Sequence, residues 1–216
     1  TVTINLDGHT LTYTQPLKNS GNMTIVGGEG QAKGKIVNTN VRNNTIDNEG
    51  DLTINNSELT SACIVVNKTT TTKKNLVISD SKLSISSSSS GCNTVVRAYD
   101  YTKFELNNST LEATSKTSTD IEAIYAYDSK IYITGSTITV SSEKSSTYGV
   151  YVPGYGAATV YYTNSTITSS SETTAAYGMR KYGSDYSLTV NMYSGYIEAF
   201  SGTDKNDPST YASTAI

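Results

Sequence analysis

The chain has 216 residues and a net charge of −3, with its lysines and acids scattered singly, so it lacks the basic patch that a nucleic-acid partner requires. Its hydrophobic fraction of 36% lies below the roughly 45–50% of an ordinary globular domain, which excludes a thick, multilayer core. Ser, Thr, Asn and Tyr dominate while Leu and Glu are sparse, a balance that favours strands and turns over helices.

Residues 1–14 alternate apolar and polar side chains, the pattern of a half-buried strand pair turning at Asp7–Gly8. Gly27, Gly28, Gly30 and Gly34 then interrupt the alternation, so 26–35 is expected to be a loop. These glycines lack the strand-then-helix setting of a phosphate-binding loop and read as turn residues. No apolar run approaches the roughly 20 residues needed to span a bilayer. Thr1 begins inside a strand, which reads as the start of a mature or excised piece.

An eight-residue pattern then organises the chain: apolar, any, apolar, a short polar turn, and a third apolar residue. It reads FELNNSTL from Phe104, and recurs from Ile4, Met23, Leu52, Leu76, Ile131, Val160 and Val190 at intervals of 19 to 30 residues. A drifting but persistent period is the mark of a stacked array whose turns vary in length. Each repeat continues with a short strand (Ser84–Ser86, Thr139–Ser141) and a Ser/Thr-rich loop (Ser86–Ser90, Thr114–Thr119, Ser141–Thr147, Ser169–Thr174). A second apolar run closes it: Ile64–Val66, Val95–Tyr99, Ala123–Tyr127, Tyr148–Val152 and Ala175–Met179. Three short strands per coil define a parallel β-helix, here a single all-β domain over 1–216 with about eight coils. Alternation turns Phe104, Leu106, Ile131, Ile133 and Val160 inward and sets Tyr162 at the edge of the core.

Ser57, Ser81, Ser109, Ser136 and Ser165 share one place in the turn, with Gly195 next and His9 in the first rung. Small hydroxyl and carboxamide groups suit a tight turn, so this column is structural, and the sequons it creates at Asn107 and Asn108 are by-products. Cys63 and Cys92 lie one repeat apart. At a rung spacing of about 4.8 Å they can form a disulfide, or serve as two small residues buried in the stack. The chain stops in its last apolar run without a polar cap, which suggests that more coils follow in a longer protein.

INLDGHTLT, followed by NSGNMTIVGGEGQAKGKI and NEGDLTINNSEL, resembles the opening of right-handed parallel β-helix regions in large surface proteins of gut bacteria, with Ser here where Gly-Gly is usual. The resemblance implies a pectin-lyase-like fold and an adhesin-like, surface-displayed or extracellular protein; its motifs specify fold rather than chemistry.

The candidate site is set by tyrosine: seventeen are present and all but Tyr13 follow residue 98. Arg97, Tyr125, Tyr151, Tyr177 and Tyr211 fall at matching places in the second apolar runs and are expected to form an outward ladder, extended sideways by Tyr99 and Tyr127. Such a row is a surface on which sugar rings stack or a host protein docks, with the Ser/Thr loops as a rim. Alternatively, it stabilises the sheet by stacking like on like, and the chain is a spacer. Polysaccharide lyases and hydrolases of this fold need clustered acids, and no column here holds more than two; Asp100 and Asp128, beside Arg97, are the best pair. The reading is therefore a non-catalytic binding or spacing module, with a polysaccharide-active enzyme and a phage tail-fibre β-helix as alternatives. A lone histidine forms no triad or metal site, so no metal and no cofactor are assigned, and the sequence carries no signal for an oligomeric state.

Overall fold

The computed structural model of the protein describes residues 1–29, 33–68, 72–87, 92–184, 186–202 and 213–214. It is a parallel β-solenoid in which each winding supplies one strand to each of three sheets, A, B and C in chain order, with eight strands in each sheet among the described residues. No helix occurs among the described residues, so none is long and apolar enough to cross a membrane. One winding shows the plan: Tyr101–Asn107 in sheet A, Thr110–Ser115 in sheet B, Ile121–Tyr127 in sheet C.

Alternation along the strands becomes stacking along the axis. In sheet A the register joins Met23, Leu52, Leu76, Phe104, Ile131, Val160 and Val190 in one internal pile. A second pile runs Ile25, Ile54, Ile78, Leu106, Ile133, Tyr162. Sheet B contributes Ile36, Leu59, Leu83, Leu111, Ile138 and Ile167, all fully buried. Tyr162 lies inside the core rather than at its edge: it is 0% exposed, and its hydroxyl donates to the Tyr196 carbonyl at 2.7 Å.

The turn between sheets A and B explains its own sequence. Asn56, Asp80, Asn108, Gly135 and Asn164 all take positive φ, the left-handed region that Gly, Asn and Asp tolerate best. The serine that follows is buried and works twice. Its hydroxyl donates to the carbonyl two residues back (Ser109 Oγ to Asn107 O, 2.7 Å) and accepts the backbone N–H of the serine in the preceding winding. This relay runs unbroken as Ser57 N–H to Ser81 Oγ, Ser81 to Ser109, Ser109 to Ser136 and Ser136 to Ser165, at 3.0–3.1 Å. A backbone donor at a sharp corner is thereby satisfied in four successive windings.

Three expectations are corrected in detail. Residues 1–14 do not form a strand pair; Val2–Asn5 and Thr10–Tyr13 belong to different sheets and pair only with the next winding. The counterpart of Met23 is Val2, not Ile4, because the first turn holds two extra residues and buries Leu6 in the added space. The Ser/Thr-rich stretches begin as strand and only then turn: sheet B runs on to Ser115, Ser142 and Ser171 before each corner, and Ser88–Ser90 of the first stretch lie outside the described residues. At its end these serines accept N–H groups of the following corner, such as Thr117 N–H at 3.2 Å and Thr174 N–H at 3.1 Å. Part of the expected loop at 26–35 is described, between Val26 and Gly34.

Cys63 and Cys92 form a disulfide and are both buried. The bond ties the corner before one sheet C strand, Val66–Lys68, to the corner before the next, Thr94–Tyr99.

Candidate tyrosine cleft

Sheet C turns Val96, Ala98, Ile124 and Ala126 inward, all 0% exposed, so Arg97, Tyr99, Tyr125 and Tyr127 face outward by alternation. Register aligns Arg97 with Tyr125, Tyr125 with Tyr151, and Tyr99 with Tyr127. The Tyr99 and Tyr127 rings stack in parallel at 5.0 Å and 4°, and Tyr125 meets Tyr151 at 5.7 Å and Tyr127 edge-on at 6.3 Å.

Beyond Tyr151 the ladder differs from the expectation. The next member of the column is Arg180; Tyr177 instead aligns with Tyr148 in a parallel column that runs Thr94, Glu122, Tyr148, Tyr177. The separation of Tyr151 and Tyr177 is shorter than the 29-residue winding by three residues, so the tyrosines match in spacing but not in phase. Tyr148-Gly149-Val150 against Tyr177-Gly178-Met179 is the sequence signal for the correct phase. Tyr148 and Tyr177 stack at 5.2 Å and 7°, and the Arg180 guanidinium lies 4.0 Å from the Tyr177 ring centre. Tyr211 lies outside the described residues.

The corner 153–157 adds a wall absent from the sequence reading. Tyr155 is 60% exposed, packs edge-on against Tyr127 at 5.3 Å, and its hydroxyl contacts that of Tyr125. Gly156 permits this approach, since a Cβ there would lie 2.2 Å from the Tyr127 Cβ. Tyr155, Tyr125, Tyr127 and Tyr99 enclose with Arg97 a cleft of about 300 Å³, floored by Asn93 and Thr94. That volume is at the lower end of small-ligand pockets. Burial holds the phenols of Tyr99, Tyr125, Tyr127 and Tyr151 above their ordinary pKa, Tyr127 up to about 12, so all are protonated donors at neutral pH. Tyrosine also stacks where no cleft forms: Tyr132 and Tyr161 on the outside of sheet A are parallel at 4.7 Å.

Glu122 was missed by the sequence reading, which singled out Asp100 and Asp128 among the acids. It is 5% exposed, beneath the cleft, where its carboxyl pairs with Thr94 Oγ1 at 2.7 Å and accepts from Asn93 Nδ2 at 3.4 Å. Burial pushes its pKa up to about 8, against the opposing pull of the Thr94 hydrogen bond and Arg97. The carboxyl is therefore neutral at pH 7.

Asp100 and Asp128 occupy positive-φ corners of successive windings between sheets C and A. They share a separate cleft of about 420 Å³ with Lys73 and Lys130, whereas Arg97 belongs to the tyrosine cleft. The Ser/Thr corners do not rim the tyrosines; Thr114, Ser141 and Ser170 line a groove of about 370 Å³ with Lys116 and Glu143. No group of three or more His, Cys, Asp or Glu side chains among the described residues is placed to hold a metal. Comparison with protein-family models, with curated proteins and with solved structures finds no match to this chain.

Proposed function

We propose that the chain is a non-catalytic, adhesin-like binding module of an exported bacterial surface protein, a right-handed solenoid of pectin-lyase-like type that recognises glycans through the outer face of sheet C. The observation that carries this reading is the walled tyrosine cleft, in which Tyr155 converts a flat aromatic row into a concave site beside a guanidinium. Half-buried aromatic rings lose little conformational freedom on binding and offer both a stacking face and a hydroxyl. Export is supported by the disulfide, since such bonds persist in oxidising compartments. A host glycoprotein would be engaged through the same face.

A glycan array tests the reading. Binding is expected to fall at least about tenfold, the worth of one well-placed aromatic contact, in Tyr125→Ala with Tyr151→Ala. The same loss is expected in Tyr155→Ala, whose exposed ring leaves stability nearly unchanged. If instead the chain binds nothing and the double variant only lowers the melting temperature, the tyrosines are scaffold and the chain is a spacer. A polysaccharide-cleaving role is favoured by one observation, the two aspartates and two lysines around the 420 Å³ cleft; it requires an activity that Asp100→Asn and Asp128→Asn abolish.

A further inference from the structure

The tyrosine column is bracketed by cations. Its members in order are Arg97, Tyr125, Tyr151 and Arg180, so the guanidiniums stand three windings, or about 14 Å, apart at the usual strand spacing. Arg180 is spread over the Tyr148 and Tyr177 rings. Arg97 lies in the wall of the cleft, and its Nη1 donates to Asn67 Oδ1 at a long 3.5 Å. The four ion pairs found among the described residues, Lys35–Glu58, Lys82–Glu112, Lys103–Glu105 and Lys116–Glu143, leave Arg97 without a carboxylate partner. A guanidinium has five N–H donors in a planar fork, and among the described residues only Nη1 meets a hydrogen-bond acceptor.

We propose that the cleft takes an acidic saccharide, with its carboxylate or sulfate received by Arg97 and its ring laid against Tyr127 and Tyr155. This assignment rests on the glycan-binding role given above to the same face. The fork of Arg97 matches either oxyanion with two parallel hydrogen bonds, and the surrounding rings exclude the water that would otherwise screen the pair.

The carboxyl group beside Arg97 does not compete with such a ligand. Glu122 is held neutral at pH 7 by burial. The groups that face it are Arg97 and Thr94 from the strand Thr94–Tyr99, Tyr148 and Tyr151 from Thr147–Val152, and Tyr125 on its own strand Ile121–Tyr127. Asp120, just before that strand, is the remaining carboxylate near Glu122, and its oxygens already accept Ser146 N–H at 3.0 Å and Tyr148 O–H at 3.2 Å. Arg97 therefore presents a positive charge into an aromatic cleft at neutral pH. As pH rises through about 8 Glu122 ionises, and an anionic ligand then meets a second negative charge behind the guanidinium. By linkage its affinity falls over that interval, whereas that of an uncharged sugar does not.

Calorimetric titration of the whole chain with lactose, 3′-sialyllactose and 3′-sulfolactose tests the proposal. At least one acidic probe is expected to bind about tenfold or more tightly than lactose at pH 7, the scale of one charge-assisted hydrogen bond. Arg97→Gln is expected to bring that probe to the level of lactose, and Glu122→Gln to flatten the fall in its affinity between pH 7 and pH 9. The acid that prevails tells carboxylate from sulfate. Equal affinity for all three sugars, or an acidic preference that survives Arg97→Gln, overturns the acidic assignment and leaves the tyrosine platform standing. Binding of none of them, by a chain that also gives no signal on the glycan array, overturns both.

Discussion

Replacing Phe104 by alanine is expected to lower the stability of the solenoid by about 3–5 kcal/mol, the range for deleting a fully buried aromatic ring. Phe104 is 0% exposed, lies between Leu76 and Ile131 in the sheet A pile, and meets the Tyr101 ring at 6.4 Å. A cavity at this place closes poorly, because the backbone is hydrogen-bonded to a strand on either side and cannot move inward without breaking two ladders. In a stacked array each winding is stabilised mainly by its two neighbours, so a void in a central winding weakens two interfaces at once. Denaturant unfolding followed by circular dichroism measures the loss. A change below about 1 kcal/mol, typical of a surface site, would mean that Phe104 is not internal.

The second large effect concerns the disulfide. Replacing Cys63 and Cys92 together by alanine is expected to cost about 3–4 kcal/mol, since the bond closes a loop of 29 residues and restricts the unfolded chain accordingly. Reduction should lower the denaturation midpoint in the wild-type chain and leave the double variant unchanged. Both cysteines are buried, at 3% and 4% exposure, so a reductant is expected to act slowly under native conditions and rapidly once denaturant opens the stack. An identical midpoint with and without reductant would show that the bond contributes nothing.

Much of this architecture was legible because a solenoid repeats its physics. The apolar residues of sheet A and the Asn-Ser or Asp-Ser corners recur together, and the positive φ of Asn56, Asp80, Asn108 and Asn164 explains why those residue types stand there. The pile through Leu76, Phe104 and Ile131 follows from that motif alone. Sheet C was read less well, because tyrosine stands in two of its columns three residues apart, Tyr148 with Tyr177 in one and Tyr151 in the other, and the second passes to Arg180 in the next winding. Spacing between tyrosines therefore did not fix their phase, and Tyr177 was placed where Arg180 stands. Tyr155 escaped notice because its position is set by the approach of Gly156 to Tyr127, a tertiary contact with no local signature. Glu122 escaped for a similar reason: its burial and its hydrogen bonds come from Asn93 and Thr94 in the preceding winding.

The register of sheet C carries both the cleft and its bracketing cations, and paired cysteines read it directly. Tyr151→Cys with Arg180→Cys places two cysteines on adjacent strands in register, their Cα atoms about 4.8 Å apart and within disulfide reach, whereas Tyr177 stands three residues, or about 10 Å, earlier on that strand. Under mild oxidation the Tyr151→Cys, Arg180→Cys variant is expected to cross-link within the chain, and Tyr151→Cys with Tyr177→Cys is expected not to. The opposite outcome would contradict the stacking on which the site is built.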